Sequence, residues 1–484
     1  MHYLGLDIGT TGAKALLVDK AGKRLGMGYA GYRLISDGDN IEQRADDWTL
    51  CGAAAVRQAL EGNDPSMVAA VALSTQGASM LALDAENRPI GNALTWMDGR
   101  AKKEANELAE KLGEDYLYRR TGWRVNASLD AAKIMYMKRS DFYGDAVCFL
   151  STLEYMNLFL TGNPVCDPTN ASIRQVYDIH KGDYDDEILD AIGVSRAELP
   201  EILPAAAPVG HITKAAAAAT GLREGTPVYN GAHDQTCASI GAAAVNKGDI
   251  LLSAGTTWVI LGIDEKPLFT DTWIAPAAHP IPGLYSAVAS LVGSGMSLQW
   301  YRDAFLDVGF DEVNRQVRSR TDKARDLFFY PFLSGAFYPR WAPEARGVFT
   351  GIALEHDKYD FARAIMEATA FGVRLALEDF SSNGFDLSAL RIMGGAAKSE
   401  IWCELIAAAI GRPAVISGET EACALGAAII AAAGDGAYPS LRDAVEAMTA
   451  APRRVFPNTE LTNHLEDKFS KYTRMWDCIR QYYS

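Results

Sequence analysis

The chain has little of what several large protein classes require. Its 484 residues include seven cysteines but no CxxC pair, which argues against structural zinc and suits a reducing compartment. Lysine and arginine number 46 against 61 acidic residues, and the net charge of −15 argues against nucleic acid or a membrane surface as a partner. No apolar run is long enough to span a bilayer, and no basic region precedes an apolar stretch at the start. We therefore expect a cytoplasmic protein.

Two common phosphate-binding motifs are also absent. No GxxxxGK[ST] segment occurs, and GLDIGTTG at residues 5–12 does not fit GxGxxG. A P-loop nucleotidase and a Rossmann dehydrogenase are therefore disfavoured. Hydrophobic residues make up 49% of the chain and charged residues 22%, which predicts a large core and a multi-domain globular protein.

What is present is a repeated turn. Apolar residues alternate over 4–8, a Gly-Thr-Thr turn follows at 9–11, and a second apolar strand comes next. Taken alone, Asp7 before this turn is ordinary hairpin composition. The same strand–GTT–strand pattern returns at 248–263, with its turn at 255–257, about half a chain length later. Recurrence at this period predicts two halves of related architecture whose turns grip phosphates from both sides.

Other periodicities predict an α/β protein with a domain boundary near residue 244, which divides the chain into units 1–244 and 245–484. Asp46 or Asp47 is expected to cap a helix that runs to about residue 60. Apolar spacing predicts strands over 67–75 and 227–234 and helices over 237–244, 359–382 and 462–482.

A long pattern in the second half is the most specific signal. GVFTGI at 347–352, DF at 360–361 and AIME at 364–367 meet every position of the C-terminal signature of the FGGY carbohydrate kinases, and the chain resembles that family. The other matching segments are DIGTT at 7–11, WMDGR at 96–100, GAHDQ at 231–235, GSGMSLQW at 293–300, FLSGAFYPRW at 332–341, MGGAAKS at 393–399 and ALGAA at 424–428.

The resemblance implies a fold and an activity. The fold is α/β, with two duplicated ribonuclease-H-like domains of the actin, hexokinase and Hsp70 type flanking a nucleotide and sugar cleft. Residues 1–244 would be the sugar-binding domain and 245–484 the nucleotide-binding domain. Within the family the chain looks most like xylulose kinases, which implies ATP- and Mg²⁺-dependent phosphorylation of D-xylulose to D-xylulose 5-phosphate. A kinase for another ketose or polyol (ribulose, glycerol or erythritol type), an actin- or Hsp70-like ATPase that gates a protein partner, and a silent sugar-binding protein stay open, as does a homodimer.

Asp234 is the candidate general base, because it ends a predicted strand in a small-residue turn, where open α/β sheets place ligands. Its spacing fits a helix N-cap equally well, and the resemblance favours the base. His233 is the rival proton acceptor. Asp7 would hold Mg²⁺, since that ion prefers hard oxygen ligands.

The resemblance also implies contacts to ATP from both turns and from two glycine-containing segments. These residues are Thr10, Thr11, Lys14, Gly255, Thr256, Gly295, Gln299, Gly395, Ala396 and Ser399. The implied sugar contacts are Gln76, Gly77, Ala78, Asp98, Asp234 and Gln235, with Arg100, Trp123 and Asn126 as further candidates.

The chain departs from the family at two places. Asp130 stands where the family has Pro, Ser or Thr before Lys133, and Tyr136 replaces a tryptophan. Gly77-Ala78 replaces the polar pairs of glycerol and xylulose kinases, so we expect a roomier pocket or other hydrogen-bond donors. Two tryptophans, Trp96 and Trp341, are expected in the core rather than at the sugar.

Overall fold

The computed structural model describes residues 1–291, 293–320, 326–333, 335, 338, 342 and 344–483. Its strands are β1 (His2–Ile8), β2 (Gly12–Asp19), β3 (Arg24–Gly31), β4 (Ile35–Asp37), β5 (Asn40–Gln43), β6 (Val68–Thr75), β7 (Leu81–Leu83), β8 (Ala93–Leu94), β9 (Cys148–Leu150), β10 (Tyr177–Asp178), β11 (Asp183–Tyr184), β12 (Pro208–His211), β13 (Pro227–His233), β14 (Asp249–Ala254), β15 (Trp258–Asp264), β16 (Ala275–Ala278), β17 (Tyr285–Leu291), β18 (Phe328–Tyr330), β19 (Val348–Thr350), β20 (Ala389–Met393), β21 (Ala414–Ile416) and β22 (Arg453–Val455).

The α-helices surround these strands. They are α1 (Ala45–Leu60), α2 (Lys102–Leu112), α3 (Glu114–Thr121), α4 (Asp130–Arg139), α5 (Thr152–Thr161), α6 (Pro168–Ser172), α7 (Asp186–Ile192), α8 (Lys214–Thr220), α9 (Asp234–Gly241), α10 (Ser294–Phe305), α11 (Phe310–Arg318), α12 (Lys358–Ser382), α13 (Glu400–Ile410), α14 (Ala422–Gly434), α15 (Leu441–Met448) and α16 (Thr459–Tyr483).

Two large sheets repeat one topology. The first has the order β3-β2-β1-β6-β13-β12 and the second contains the order β17-β15-β14-β20-β21-β22. In each sheet the pairing along this order is antiparallel, antiparallel, parallel, parallel and antiparallel. The GTT turn joins the second and third strands of the order in both sheets. The architecture is therefore the expected α/β fold with a duplicated sheet.

Two small-residue helices, α9 and α14, lie in the apolar core that joins the two halves. A methyl group on Gly5 of β1 would lie 1.9 Å from the carbonyl oxygen of Ala424 in α14. A methyl group on Gly426 would lie 1.9 Å from the carbonyl oxygen of Cys237 in α9. Glycine at these positions lets α14, which lies between β21 and β22 of the second sheet in the chain, contact the first sheet and α9 directly.

Most predicted elements are confirmed, with shifted ends. The strands over 67–75 and 227–234 are β6 and β13, and the long helix over 359–382 is α12. The predicted cap of α1 is wrong, because Arg44 is its N-cap and both aspartates lie in the first turn. Within the described residues, no helix is long and apolar enough to cross a membrane.

Candidate active site

Three predicted site residues meet at one edge of the first sheet. Strands β1, β6 and β13 are parallel neighbours, so their carboxyl ends share that edge. Asp7 is the second-last residue of β1, Gln76 directly follows β6, and Asp234 directly follows β13. The backbone N–H of Gln76 donates to the carbonyl of Ile8 at 2.9 Å, which ties the turn after β6 to the end of β1. This is the edge at which open α/β sheets bind ligands.

Asp234 is the first residue of α9, and His233 occupies the N-cap position. The helix-cap explanation of Asp234 is therefore not supported. Oδ1 of Asp234 lies 3.1 Å from Nε2 of His233, and the Asp234 side chain is 24% exposed. The backbone N–H of His233 donates to the Thr169 hydroxyl at 2.8 Å, which fixes the start of the helix. The arrangement presents a carboxylate oriented by an imidazole to the open edge of the sheet.

Asp7 carries an unusual charge environment. Burial, together with the nearby carboxylate of Asp234, raises the pKa of Asp7 to about 7. The hydroxyl of Ser74 donates to Oδ1 of Asp7 at 2.7 Å and partly offsets that rise. Lys14, on the neighbouring strand, forms an ion pair with Glu421. A cation beside Asp7 would relieve the repulsion between the two carboxylates.

The first GTT turn is held by side chains from outside the hairpin. Nε2 of Gln43 donates to the carbonyl of Thr10 at 2.6 Å, and Oε1 of Gln43 accepts from Nε2 of Gln76 at the same distance. Nε1 of Trp96 donates to the Thr10 hydroxyl at 3.1 Å. Trp96 is 44% exposed, so its assignment to the core is wrong. Thr11 is exposed at the tip of the turn.

The second GTT turn is surrounded by glycine instead of charge. Gly255 and Thr256 are exposed. A methyl group on Gly295, in the first turn of α10, would lie 2.0 Å from the carbonyl oxygen of Gly255. Gly394 has a φ of 87° and packs against Ala254, where a methyl group would lie 2.8 Å from the carbonyl oxygen. Three segments of backbone thus come together without side chains between them.

The other predicted nucleotide contacts divide into two groups. Gly395 and Gln299 are exposed and accessible to a ligand. Ala396 is buried, and Ser399 is the N-cap of α13, with its hydroxyl donating to Oδ1 of Asn314 at 2.8 Å. Their roles toward ATP stay predictions. Six residues of the predicted 332–341 segment lie outside the described residues: Ser334, Ala336, Phe337, Pro339, Arg340 and Trp341.

On the sugar side, Gly77 makes room for another side chain. A methyl group on Gly77 would lie 1.7 Å from Cδ1 of Ile173 and 3.0 Å from Cδ2 of His233. The space beside Gly77 is therefore occupied by Ile173, and the pocket is not roomier at that point. Ala78 has a φ of 49°, a conformation that residues other than glycine rarely adopt.

Lys133 fixes the loops around this turn. Its buried ammonium donates to the carbonyls of Ala78 and Thr95, both at 2.7 Å, and burial lowers its pKa to about 8. Asp98 is fully buried, and Oδ2 of Asp98 accepts from the Arg100 guanidinium at 2.7 Å. Both Asp98 and Arg100, expected as sugar contacts, thus bind each other.

Asp130, which departs from the family pattern, forms an ion pair with Arg174. Nε of Arg174 lies 3.1 Å from Oδ2 of Asp130, and NH1 of Arg174 lies 3.4 Å from Oε1 of Glu154, with all three side chains fully buried. Burial raises the pKa of Asp130 to about 6 against the opposing effect of Arg174. The aspartate at the family's Pro/Ser/Thr position therefore belongs to a buried ion-pair cluster.

The fold defines a class of protein: a two-domain α/β protein with an equivalent Gly-Thr-Thr turn in each half and with clustered carboxylates at the open edge of the first sheet. The N-terminal-domain profile of the FGGY family of carbohydrate kinases matches residues 2–241, and the C-terminal-domain profile matches residues 250–434. The chain belongs to the FGGY family of carbohydrate kinases and is an ATP-dependent sugar kinase.

Individual relatives match over nearly their whole length. A xylulose kinase of Bacillus subtilis is 26% identical over 482 residues, covering 98% of this chain and 96% of the relative. An L-xylulose/3-keto-L-gulonate kinase of Escherichia coli is 27% identical over 499 residues, covering 100% and 98%. The structure of ligand-bound xylulose kinase from Lactobacillus acidophilus superimposes with a TM-score of 0.93 at 24% identity, covering 100% of this chain and 99% of that one. The last match supports the fold.

Proposed function

We propose that this kinase phosphorylates D-xylulose to D-xylulose 5-phosphate. The observation that carries the proposal is the position of Asp234, at the open edge of the sheet beside His233 and near Asp7. The full-length match to a xylulose kinase supports the choice of sugar.

Phosphoryl transfer requires positioning and charge stabilisation more than covalent help. Asp234 would accept the proton of the attacking sugar hydroxyl, and His233 would orient its carboxylate. The backbone and hydroxyls of Thr10 and Thr11 would bind the phosphates from one side. Gly255 and Thr256 would bind them from the other side, with Gly295, Gln299, Gly395, Ala396 and Ser399 near the nucleoside.

Asp7 fits Mg²⁺. Its carboxylate is a hard oxygen ligand, and its raised pKa reflects negative charge that a divalent cation would neutralise. Among the described residues, no group of three or more His, Cys, Asp or Glu side chains could hold a metal ion. The remaining ligands would therefore be water and phosphate oxygens, and the ion would supply charge stabilisation at the transferring phosphoryl group.

A coupled assay of ADP release tests the choice of sugar. We expect D-xylulose to give the highest kcat/KM in a panel with D-ribulose, erythritol and glycerol, and little ADP release without sugar. A higher kcat/KM for glycerol than for every ketose would refute xylulose as substrate. Sugar-independent ATP hydrolysis at the same rate would favour the ATPase alternative.

Three further predictions accompany this function. We place the domain boundary at residue 244, between α9 and β14.

We place the protein in the cytoplasm, because its seven cysteines are free thiols, which suits a reducing compartment. A homodimer stays open, and sedimentation of the purified protein would decide it.

A further inference from the structure

Buried polar atoms on the segments around the turn after β6 lack a hydrogen-bond partner within the described part of the chain. Gln76 and Gln235 each lie just beyond the end of a parallel strand, at the sheet edge that carries Asp234. Buried polar atoms without a partner are rare in folded proteins, and each calls for an explanation. These atoms include Oε1 of Gln76, Gln175 and Gln235, Oγ of Ser79 and Nε1 of Trp123.

The segments that carry these atoms contact one another. Ile173 and His233 both lie against Gly77, within 1.7 Å and 3.0 Å of the position a methyl group would take. Gln175 follows Ile173 by two residues, and its Nε2 donates to the carbonyl of Trp123 at 3.2 Å. The unpartnered atoms therefore belong to one contiguous region rather than to separate defects of packing.

The backbone of this region is also unusual. Gln175 is fully buried and has a φ of 58°, and Ala78 has a φ of 49°. Side chains other than glycine rarely adopt this conformation, and such residues cluster at binding and active sites. The strain and the unpartnered atoms thus coincide in the same segments.

The charges of the region argue against a ligand that carries a carboxylate. Four basic side chains belong to these segments or contact them, and each is engaged by the protein. Arg100 contacts Asp98 and Glu42, Arg124 the carbonyls of Thr270 and Thr272, Lys133 the carbonyls of Ala78 and Thr95, and Arg174 the carboxylates of Asp130 and Glu154. Among the described residues of these segments, a carboxylate ligand would thus find no unengaged arginine or lysine, and it would lie near the Asp234 carboxylate.

We propose that Gln175 extends the sugar subsite expected at Gln76, Gln235 and Trp123, that its amide and the Trp123 N–H bind substrate hydroxyls, and that the subsite accepts neutral ketoses or polyols and excludes sugar acids. A hydroxyl both donates and accepts, so a polyol satisfies the indole N–H and the amide oxygens together. The inference rests on the proposed function, because it assigns the sugar that Asp234 deprotonates.

The first test compares substrate classes with the wild-type enzyme. ADP release is measured with D-xylulose, D-ribulose and xylitol, and with D-gluconate and 3-keto-L-gulonate. We expect kcat/KM for each sugar acid to be at least about 100-fold below that of the best neutral substrate, because its carboxylate would be an unpaired charge near Asp234. A sugar acid that exceeds every neutral substrate would overturn the inference. A neutral substrate other than xylulose would overturn only the proposed sugar.

The second test removes the Trp123 N–H and the Gln175 amide. Trp123→Phe deletes the N–H and keeps an aromatic ring, and Gln175→Met deletes the amide at similar length. Each variant should raise the KM of the best sugar about 10-fold, the value of one lost hydrogen bond, and leave the KM of ATP unchanged. The matched controls, Trp476→Phe and Gln316→Met, should leave both values unchanged.

Calorimetric binding of the sugar without ATP should show the same loss of affinity in the two variants. Thermal unfolding identifies a variant that has lost its structure. One folded variant is sufficient to test the assignment of its own residue. Unchanged sugar KM and affinity in a folded Trp123→Phe or Gln175→Met protein would overturn the assignment of that residue while leaving the kinase activity intact.

Discussion

The hairpin of β1 and β2 and the hairpin of β14 and β15 share a Gly-Thr-Thr turn but differ in their surroundings. The first turn lies beside Asp7, Lys14 and Asp234, and burial with a neighbouring carboxylate raises the pKa of Asp7 to about 7. The second turn contacts Gly295 and Gly394, where added methyl groups would collide with backbone. The duplicated fold therefore provides two similar turns, and the residues next to each determine its chemistry: charge in the first half and close backbone approach in the second.

The largest expected effect is on kcat, from a substitution among the charged residues beside the first turn. Asp234→Asn keeps the size of the side chain and removes the proton acceptor. We expect kcat to fall by about 10²- to 10⁴-fold, the usual contribution of a positioned acid or base. The KM of ATP should change little, because the carboxylate acts on the sugar. Steady-state rates at saturating sugar and ATP measure this, and an unchanged kcat would return the role to His233.

Asp7→Asn should lower activity and, at high pH, raise the stability of the ligand-free protein. Loss of the charge near the phosphates should lower kcat about 10- to 100-fold. The pKa of Asp7 lies near 7 in the folded protein and near 3.8 when unfolded, so the folded state binds more protons between these values. The stability of the ligand-free protein should therefore fall as pH rises from about 4 to 7.

The Asn variant should lose that part of the pH dependence and melt higher than wild type at pH 8, by about 2 °C or more. Melting curves from pH 5 to 8 check the prediction. A variant that melts lower than wild type at pH 8 would contradict the account of Asp7.

Gly295→Ala tests the close backbone approach at the second Gly-Thr-Thr turn. Its methyl group would lie 2.0 Å from the carbonyl oxygen of Gly255, so the turn and α10 must separate. We expect the KM of ATP to rise about 10-fold, with a stability loss of about 1–3 kcal/mol from overpacking. Gly372→Ala in α12 is the matched control, because its methyl group makes an ordinary contact of 3.7 Å. Equal KM values in the two variants would argue against backbone recognition of ATP at the second turn.

The smallest effect is expected at the ion pair that joins the two halves of the chain. Lys14 pairs with Glu421, and the side chains are 32% and 19% exposed. Glu421→Gln should change the free energy of unfolding by less than about 1 kcal/mol. Released from its partner, Lys14 should lower the KM of ATP by roughly 2- to 3-fold, on the scale of a partly exposed ion pair. Glu419→Gln, which breaks the neighbouring pair with Arg24, is the control. A higher KM in the Glu421 variant would show that the pair supports ATP binding.

Local patterns predicted much of this molecule. The period of the strands and their turns locates both hairpins, and the predicted strand ends place Asp7 and Asp234 at strand tips. The helix α12 follows from its apolar spacing. Each of these depends on residues close together in the chain.

Partners that are distant in the chain were not predicted. Gln43 binds the first turn and Gln76 from a polar strand with no motif of its own. Ile173 occupies the space beside Gly77, and Arg174 explains Asp130, yet neither contact follows from spacing. Lys14, which is predicted to contact the phosphates, forms an ion pair with Glu421 from the other half of the chain, and this partner does not follow from spacing.

Transfer of phosphorus from ATP to the sugar tests the central claim most directly. ATP, Mg²⁺ and D-xylulose are incubated with wild-type enzyme and with Asp234→Asn, and the products are followed by phosphorus NMR. We predict one sugar phosphomonoester for each ADP with the wild type and an initial rate of ester formation at least about 100-fold lower with the variant. Inorganic phosphate released at one rate with or without sugar, or ester formed at the wild-type rate by the variant, would contradict the account.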